Sequence, residues 1–324
     1  MDARADTGAA NLAANLRFVG RSAARAWHGL VARQPTVAKY YLRTIGSLVR
    51  PLPDGLNKHR LVNTLRGTEW PDITLPDQSV RLGMRYDVRL VPHVGEFDFE
   101  ALFFRGLAYE REVFALLENR LDQYDAIVEI GANVGVYTTY FAQACNERQA
   151  IFAFEPSRKA FERLKENLAL NGAARVQPFN LAVTDKPGLV SFFEPAGHLT
   201  NGSLSREFAT FFSKDIQTST VEAVDGSFLA QLLAPYRRLL FKIDVEGAEA
   251  DVLRGLAPLI TTVHPDLIVE VLEGFESTLN ALDFITSQYR LLNITSAGLT
   301  ERTHFAADGR HRDYLLVPRQ ATRS

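Results

Sequence analysis

The chain has 324 residues, of which 46% are hydrophobic, and its formal net charge is −2 at pH 7. It is long enough for one large domain or for a domain with an appendage. Its single cysteine excludes an intrachain disulfide, and we recognise neither a signal peptide nor an apolar run near the roughly 20 residues that span a bilayer, so we expect a cytoplasmic protein.

The charge is distributed unevenly along the chain. Residues 1–60 contain ten Lys or Arg and three Asp, which gives +7, so the remainder carries −9. An acidic main body binds nucleic acid poorly, because affinity for polyphosphates depends on Lys and Arg. We therefore expect neither DNA nor RNA as a partner.

Residues 1–70 are predicted to form a basic helical extension. Apolar residues recur every three or four positions from 11 to 31, and arginines spaced by four fall on the opposite face. A second helical pattern follows at 37–49. For residues 11–50 we keep three alternatives open: packing on the rest of the chain or on a second copy, peripheral association with the inner face of the membrane, or disorder. The arginines are Arg17, Arg21 and Arg25.

Residues 71–121 are predicted to contain short strands and then a lead-in helix. The strand-like stretches are ITL, SVRLGM and YDVRLV, with turn signals between them. The helical pattern YEREVFALLENRL spans Tyr109–Leu121.

From residue 122 to 318, strand-like and helix-like segments alternate, before a tail at 319–324. Strands that alternate with helices of 10–15 residues predict an α/β fold with a parallel sheet covered on both faces. One of these helices has a suitable N-cap in Ser157 and a stop at Gly172. RVQPFNLAV is predicted as one strand, STLNALDFITSQ as one helix and 194–220 as an irregular segment. The last strands, YRLLNIT and DYLLVP, have no helix between them and are predicted to close the sheet as an antiparallel hairpin.

The stretch IVEIGANVGVYTTYFA predicts a strand, a tight turn and a helix. Its glycines are Gly131 and Gly135, whereas the dinucleotide fingerprint is G-x-G-x-x-G, with a glycine where this chain has Asn133. Glu129, two residues before the turn, would repel a pyrophosphate and attract a cationic ligand. The turn therefore favours S-adenosyl-L-methionine, which carries an ammonium and a sulfonium group, over NAD.

A second acid, Glu155, ends the next predicted strand, AIFAFE. A carboxylate at the carboxyl end of the second strand can accept hydrogen bonds from both hydroxyls of a ribose. Glu155 alone suits NAD or S-adenosyl-L-methionine, so an NAD-linked oxidoreductase stays open as an alternative. Together with Glu129 and Asn133, it favours the methyl donor.

Strand alternation places Lys242, Asp244 and Glu246 on one face of FKIDVEGAE, near the carboxyl end of the predicted strand. Charges at this position of a buried strand are costly unless they are paired or used. Asp244 could act as a general base, oriented by Lys242. In the alternatives, Asp244, Glu246 or Glu270 holds a divalent cation, or Lys242 forms a purely structural pair with Asp244 or Glu249.

Two histidines are further candidates for contact with an acceptor. His198 lies in the segment 194–220, and His304 lies in the loop between the last two predicted strands, on the side where ligands bind to such a sheet. The segment also carries three phenylalanines between 208 and 212, which predict either a lid over the acceptor or a small core.

Four stretches resemble the FkbM family of S-adenosylmethionine-dependent methyltransferases: VEIGANVGVYT, FAFEPSRKAFERLKENLALNG, NLAVTD and FKIDVEGAEADVLRGL. The pattern K-x-D-x-E-G-x-E in the last stretch is the most specific. The resemblance covers Asp125–Val317 and does not reach residues 1–70. It implies a class I methyltransferase (Rossmann-like) fold, with a seven-stranded sheet that is parallel apart from an antiparallel closing strand.

The resemblance also implies an activity and a set of site residues. Family members typically O-methylate sugars or natural products, so we expect S-adenosyl-L-methionine as methyl donor and a small or glycan-like acceptor, such as a sugar or glycolipid. A non-catalytic scaffold that binds the donor is a further alternative, and no metal is carried over. The residues carried over for the methionine end are Glu129, Gly131, Asn133 and Gly135. Glu155 is carried over for the ribose, and Ala182, with Asn180 or Asp185 beside it, for the adenine.

Overall fold

The computed structural model describes residues 23–24, 26–71, 73–94, 96–107, 109–196 and 201–319. The three arginines of the first predicted helix lie outside these residues, and so does His198. Within the part that is described, residues 26–32 are helical.

The chain divides into two compact units. The first contains residues up to Val80 and Leu90–Leu107, and the second contains Arg81–Arg89 and the residues from Ala108 onward. We describe each unit separately.

Besides the helical residues 26–32, the described part of the first unit contains α1 (Pro35–Val49), which confirms the second predicted helix, and α2 (Leu56–Arg66). A 3₁₀ segment, Phe97–Leu102, packs closely on α1, since an ideal Cβ on Gly46 would lie 2.7 Å from Leu102 Cγ. The core of the unit contains Leu42, Val49, Val62, Leu65, Leu75, Phe99, Leu102, Phe103 and Phe104.

A two-stranded sheet pairs β1 (Gln78–Leu82) with β2 (Tyr86–Leu90), as SVRLGM and YDVRLV predict. Alternate residues of each strand are buried. The strand predicted for ITL, residues 73–75, is wrong, because this segment has no strand. Prolines at 71 and 76 flank it and cannot donate to a ladder of backbone hydrogen bonds.

The described strands of the second unit belong to two further sheets. They are β3 (Ala126–Ile130), β4 (Ala150–Phe154), β5 (Val176–Phe179), β6 (Ala182–Val183), β7 (Gly188–Pro195), β8 (Ile216–Val224), β9 (Leu239–Ile243), β10 (Asp266–Glu270), β11 (Tyr289–Thr295), β12 (Gly298–Arg302) and β13 (Asp313–Pro318). Among the described residues, eight strands form one sheet in the order β12-β11-β13-β10-β9-β3-β4-β5, and three form another in the order β6-β8-β7.

Helices lie between these strands, as the alternating sequence pattern predicts. They are α3 (Arg111–Leu117), α4 (Val136–Ala144), α5 (Arg158–Leu170), α6 (Arg206–Phe212), α7 (Gly226–Leu233), α8 (Glu249–Val263), α9 (Glu276–Asn280) and α10 (Asp283–Gln288). The Ser157 side chain caps α5 by accepting a hydrogen bond from the backbone N–H of Ala160, and Gly172 follows with φ +63°, so both predicted ends are confirmed.

STLNALDFITSQ does not form the single predicted helix, because the chain leaves the helix after Asn280 and starts a second one at Asp283, which gives α9 and α10. The Asn280 side chain bonds both backbone groups of Phe305, at 3.0 Å and 2.8 Å. A side chain engaged in this way does not support continuation of its own helix. The lead-in helix α3 is also shorter than Tyr109–Leu121.

The large sheet confirms the predicted α/β class I methyltransferase topology. Strands β3, β4, β5, β9 and β10 pair in parallel. Strand β13 is antiparallel and lies between β10 and β11, which confirms the predicted antiparallel closure. The predicted hairpin is wrong, because β12 lies between β11 and β13 in the chain. The count of seven strands is wrong: β12 adds an edge strand whose five residues are all exposed, so it lacks the apolar alternation that marks a strand in sequence.

The described part of the segment 194–220 is not irregular, which corrects a further prediction. It contains the end of β7, the helix α6 and more than half of β8, whose residues 216–223 pair with β7. RVQPFNLAV is also not one strand, because β5 ends at Phe179 and β6 leaves the large sheet to pair with β8. Strand β8 was difficult to predict since IQTSTVEAV has few apolar residues and is mostly half-buried or exposed.

The centre of the large sheet is formed by β3 and β9, in which every residue is buried. Both strands are apolar except for one charged residue each, and these two, Glu129 and Lys242, lie opposite each other in the register. A charge in the middle of a buried sheet is costly unless it is compensated. The two strands therefore place a pair of adjacent charged side chains, Glu129 and Lys242, near their carboxyl ends.

Candidate functional site

The glycine turn, which we define as residues 131–135, connects β3 to α4 through left-handed backbone. The φ angle is +86° at Gly131, +51° at Asn133 and +85° at Gly135. An ideal Cβ on Gly131 would lie only 1.8 Å from the carbonyl oxygen of Asp244. A glycine is therefore required at position 131 by the close approach of the segment that follows β9. A substitution there would test folding rather than ligand binding.

Glu155 follows β4 and holds the glycine turn in place. Its Oε2 accepts a hydrogen bond from the backbone N–H of Asn133 at 2.7 Å, and its Oε1 accepts one from that of Ser157, also at 2.7 Å. Burial raises the pKa of Glu155 to about 7, although both backbone hydrogen bonds act in the opposite direction. The carboxyl group is thus fixed at the carboxyl end of β4.

Glu129 is the buried acid of β3. Thr138 Oγ1, in α4, donates a hydrogen bond of 2.6 Å to Glu129 Oε2. Burial raises the pKa of Glu129 to about 8, against the opposing effects of this hydrogen bond and of the Lys242 charge. Neither Glu129 nor Glu155 forms an ion pair with any residue that the structure describes. Both would be stabilised in the ionised form by a ligand that brings positive charge and hydroxyl donors.

These pKa values predict that the ligand-free chain loses stability as the pH rises. An unfolded glutamate ionises near its ordinary pKa of about 4.3, whereas the folded chain retains these protons until about pH 7 for Glu155 and about pH 8 for Glu129. The resulting stabilisation is fully present below the unfolded pKa and is lost as the pH rises through the folded values. We expect the Tm to fall between about pH 4 and 8 and to level off above that range, and we expect Glu129→Gln to make this fall shallower.

Asp125→Asn is the matched control for this titration. Hydrogen bonds from Arg238 lower the pKa of Asp125 to about 2, so Asp125 does not titrate in the range that matters. Thermal melts of the wild type and both variants across this pH range measure the effect. Equal slopes for the wild type and Glu129→Gln would show that Glu129 does not hold its proton.

Lys242 and Asp244 form an ion pair at the carboxyl end of β9, with Nζ and Oδ2 2.8 Å apart and the lysine side chain 3% exposed. The Lys242 Nζ also lies 4.2 Å from the centre of the Tyr137 ring. Burial acts to lower the pKa of Lys242, but nearby carboxylates, above all Asp244, outweigh it and the pKa is raised. For Asp244, burial acts to raise the pKa, and Lys242 reverses this, so the group stays ionised with a lowered pKa.

Other carboxyl groups surround this pair, and we call the set the acidic cluster. Glu270 ends β10, pairs with Arg312 at 3.1 Å and lies opposite Asp313 in the β10–β13 register. Tyr137 Oη, in α4, donates a hydrogen bond to Glu110. The cluster comprises Glu110, Asp244, Glu246, Glu270 and Asp313, with Lys242 and Arg312 as its cations.

Most acids of the cluster hold their protons more tightly than usual. The pKa values of Glu246, Glu270 and Asp313 are raised, first by burial and then by the other carboxylates nearby. Asp244 is therefore the acid that Lys242 keeps ionised, among neighbours that resist ionisation. Within the described ranges, no group of three or more His, Cys, Asp or Glu side chains is arranged to hold a metal ion.

The turn between β9 and α8 is stabilised by Glu249. Its Oε1 accepts hydrogen bonds from the backbone N–H groups of Val245 and Gly247, each at 3.1 Å. Glu249 is thus bonded to backbone, while Lys242 pairs with Asp244. Ser203 Oγ donates to the carbonyl of Glu246 at 2.7 Å, so the segment before α6 contacts the same turn.

The family of the chain follows from a sequence comparison. The profile of the methyltransferase FkbM domain matches residues 129–292, about half of the chain. The chain belongs to the FkbM methyltransferase family. The matched range contains the glycine turn, Glu155 and the Lys242–Asp244 pair, and it confirms the resemblance carried by the four sequence stretches.

Relatives of this FkbM-family chain include two curated methyltransferases. The hexuronic acid methyltransferase AglP of Haloferax volcanii is 30% identical over 172 residues, which are 53% of this chain and 66% of that protein. Methyltransferase 1 of Beauveria bassiana is 31% identical over 164 residues, 46% of this chain and 65% of that protein. The chain thus spans just under two thirds of the length of both relatives.

A solved structure, the methyltransferase FkbM from Methylobacillus flagellatus KT, aligns with 60% of this chain and 43% of that one. The TM-score is 0.39 and the sequence identity 14%.

The structure places the remaining predicted residues of this FkbM-family chain at different points. Asn180 Nδ2 donates to the backbone carbonyl of Glu155 at 2.8 Å and so lies beside the glycine turn. Ala182 is buried in β6 and pairs with β8. Asp185 Oδ2 lies 3.6 Å from Nε of Arg254, in α8.

His304 is not on the side of the sheet that its loop predicts. It follows β12, whose last residue, Arg302, pairs with Leu291 near the start of β11. Because β11 runs in the same direction as β10, this position is at the amino edge of the parallel strands, whereas Asp244 is at the carboxyl edge. The predicted side was therefore wrong, and the exposed His304 ring bonds only its neighbour Thr303 among the described residues.

Three residues of the acidic cluster, and Tyr137, which donates a hydrogen bond to one of them, were missed by sequence reasoning. Glu110 precedes α3, Tyr137 lies in the first turn of α4, and Arg312 and Asp313 stand at the start of β13. Each is distant in sequence from Asp244. The sequence did contain a signal for two of them, because Arg312 and Asp313 stand directly before the apolar stretch YLLV. Lys242 and Asp244 similarly accompany the apolar residues of FKIDV at the same, carboxyl edge of the sheet.

Proposed function

We propose that the chain is an S-adenosylmethionine-dependent methyltransferase that methylates a hydroxyl group of a neutral, sugar-like acceptor. The observation that carries this proposal is the contact between the glycine turn and the acidic cluster. Asp244 N–H donates to the Ile130 carbonyl at 3.0 Å, and Gly131 abuts the Asp244 carbonyl. A donor held at the turn would therefore lie beside a carboxylate.

The residues around the glycine turn fit the donor. Glu155, already fixed by two backbone N–H groups, has the position for both ribose hydroxyls, and Asn180 and Ala182 follow the neighbouring strand, where we place the adenine. The buried Glu129 supplies negative charge towards the methionine end. When bound, S-adenosylmethionine supplies an electrophilic methyl group on a positively charged sulfur.

Asp244 is the residue that we assign to the acceptor proton. A hydroxyl oxygen that gains a methyl group becomes strongly acidic, so a carboxylate with a lowered pKa is a sufficient base. Lys242 holds this carboxylate in place and ionised. Positioning of the hydroxyl in line with the methyl group supplies the rest of the rate enhancement.

The acidic cluster favours an acceptor without negative charge. It brings five carboxyl groups together with two cations, Lys242 and Arg312, both already close to carboxylates. Carboxyl groups exchange hydrogen bonds with hydroxyls, whereas a further carboxylate would meet the ionised Asp244 and would find both cations already paired. The hexuronic acid in the name of AglP therefore does not transfer to this chain.

A panel of sugar glycosides tests this proposal. The purified chain and S-adenosylmethionine are incubated with neutral hexosides, aminohexosides and the matching uronides, and methyl ethers are quantified by mass spectrometry. We expect neutral and amino sugars to exceed the uronides by about tenfold or more in kcat/KM, a modest like-charge penalty. Faster methylation of the uronides would contradict the acceptor assignment, and no transfer to any hydroxylated acceptor would favour a scaffold that only binds the donor.

Glu270→Gln provides the matched variant for this panel. It removes the carboxyl partner of Arg312 and keeps the shape of the side chain, so Arg312 becomes available to a uronide carboxylate and the discrimination against uronides should narrow. Glu301→Gln is the control, because Glu301 lies on the exposed edge strand β12 and pairs with Arg290. Glu301→Gln should leave the ratio of kcat/KM between neutral sugars and uronides unchanged.

A further inference from the structure

The first unit exposes an unusual number of large apolar side chains. Among the described residues, seven of the twelve exposed large hydrophobic side chains fall between positions 27 and 56. Scattered exposed apolar residues are normal, whereas a concentrated set marks an interaction surface. The seven are Trp27, Leu30, Val37, Tyr40, Leu48, Leu52 and Leu56, with exposed fractions between 46% and 75%.

Helix α1 is apolar on two opposite faces. Ala38 and Leu42 are fully buried in the core of the first unit. Val37, Tyr40 and Leu48 recur at helical spacing on the other face and are 46%, 63% and 64% exposed. One face is accounted for by the core, so the second face has no partner among the described residues of the unit.

Basic side chains border this second face on the side of Tyr40, where Arg43 lies about one helical turn further along α1. Arg33 and Arg43 are exposed and Lys39 is half-buried, and none of the three forms an ion pair with a described residue. The acid in this stretch, Asp54, is bound by Lys58 at 2.9 Å. The surface therefore combines apolar side chains with uncompensated positive charge.

We propose that this surface, formed by the seven exposed apolar residues with Arg33, Lys39 and Arg43, docks on an anionic lipid bilayer. Apolar side chains bounded by Lys and Arg, with Trp and Tyr among them, are typical of helices that lie at a membrane interface. A second copy of the chain is a poorer occupant, because two such surfaces would bring together the like charges of Arg33, Lys39 and Arg43, which form no ion pair with a described residue. None of the helices in the described part of the chain has the length and hydropathy needed to cross a membrane.

Co-sedimentation of the full chain with vesicles tests this surface. We expect binding to vesicles of phosphatidylcholine mixed with phosphatidylglycerol, weaker binding at high salt, and little binding to phosphatidylcholine alone. Arg33→Gln with Arg43→Gln should weaken binding about 25-fold, since each basic residue near an anionic surface contributes about fivefold. Val37→Ser with Leu48→Ser should weaken it by about tenfold or more.

Tryptophan fluorescence reports the same event from within the surface. The chain has two tryptophans, of which Trp27 is 56% exposed and Trp70 donates a hydrogen bond to Leu65. Anionic vesicles should shift the emission of the wild type to shorter wavelength and leave the emission of Trp27→Phe unchanged. A shift that persists in Trp27→Phe would place the contact elsewhere.

Leu189→Ser is the matched control, because Leu189 is 79% exposed and lies on β7 of the second unit. It should bind vesicles like the wild type. Failure of the full chain to bind anionic vesicles at low salt would overturn the proposal, and so would an equal loss in Leu189→Ser. A dimer in light scattering that Val37→Ser with Leu48→Ser dissociates, without vesicle binding by the wild type, would assign the surface to self-association instead.

Discussion

Replacing Asp244 with asparagine is expected to lower the rate of methyl transfer by roughly 10²–10⁴, the range for loss of a general base. Asparagine keeps the shape of the side chain and can still accept a hydrogen bond from Lys242, but it cannot take a proton. The affinity for S-adenosylmethionine should stay within about threefold, because the donor is assigned to Glu155 and the glycine turn. Single-turnover rates with the best acceptor and calorimetric donor titrations measure the two quantities.

Asp266→Asn separates this effect from a loss of stability. Asp266 and Asp244 are both 15% exposed and both belong to ion pairs, but Asp266 is at the amino end of β10, where it pairs with Arg120. Both variants weaken a partly buried ion pair and should lower the Tm. Only Asp244→Asn should lose turnover. Near-normal turnover in Asp244→Asn would reduce Asp244 to a structural partner of Lys242.

Replacing Glu155 with alanine should weaken the binding of S-adenosylmethionine by about 1.5–3 kcal/mol, or roughly tenfold to a hundredfold. The reason is that the ribose hydroxyls of S-adenosylmethionine lose the buried Glu155 carboxylate as their hydrogen-bond acceptor. The backbone N–H groups of Asn133 and Ser157 also lose their acceptor, which loosens the glycine turn. Both effects act in the same direction on affinity, and the second also lowers the Tm.

Asp125→Ala distinguishes the two contributions. Asp125 likewise accepts hydrogen bonds from two backbone N–H groups, those of Arg237 and Arg238, but it precedes β3 at the opposite edge of the sheet. It should lower the Tm without changing donor affinity. Unchanged affinity in Glu155→Ala would contradict the assignment of the ribose, and an equal loss in Asp125→Ala would attribute the effect to stability.

Local patterns were sufficient to predict the parts of the fold that form the donor site. Buried strands such as AIVEI and AIFAF read as apolar runs followed by helical periodicity, and the glycines and the terminal acid mark the turn. The predicted position of Glu155 at the end of β4 agrees with its hydrogen bonds to the glycine turn. The close approach of Gly131 to Asp244 could not be predicted, because it depends on which strands become neighbours.

Elements with little apolar periodicity escaped prediction. Strand β12 is entirely exposed, and β8 is held by pairing with β7 rather than by a buried face. The missed strand β12 also explains the error for His304, since an additional strand reverses the chain before the loop begins. Glu110, Arg312 and Asp313 were missed for a different reason, because they come close to Asp244 only through tertiary packing.

The central claim, that the glycine turn and Glu155 hold a methyl donor, is tested most directly by titrating S-adenosylmethionine into the purified wild-type chain in a calorimeter, with NAD in a parallel titration. We predict one binding site per chain for S-adenosylmethionine, competition by S-adenosylhomocysteine, and no heat of binding with NAD. Binding of NAD with no response to S-adenosylmethionine would contradict the account.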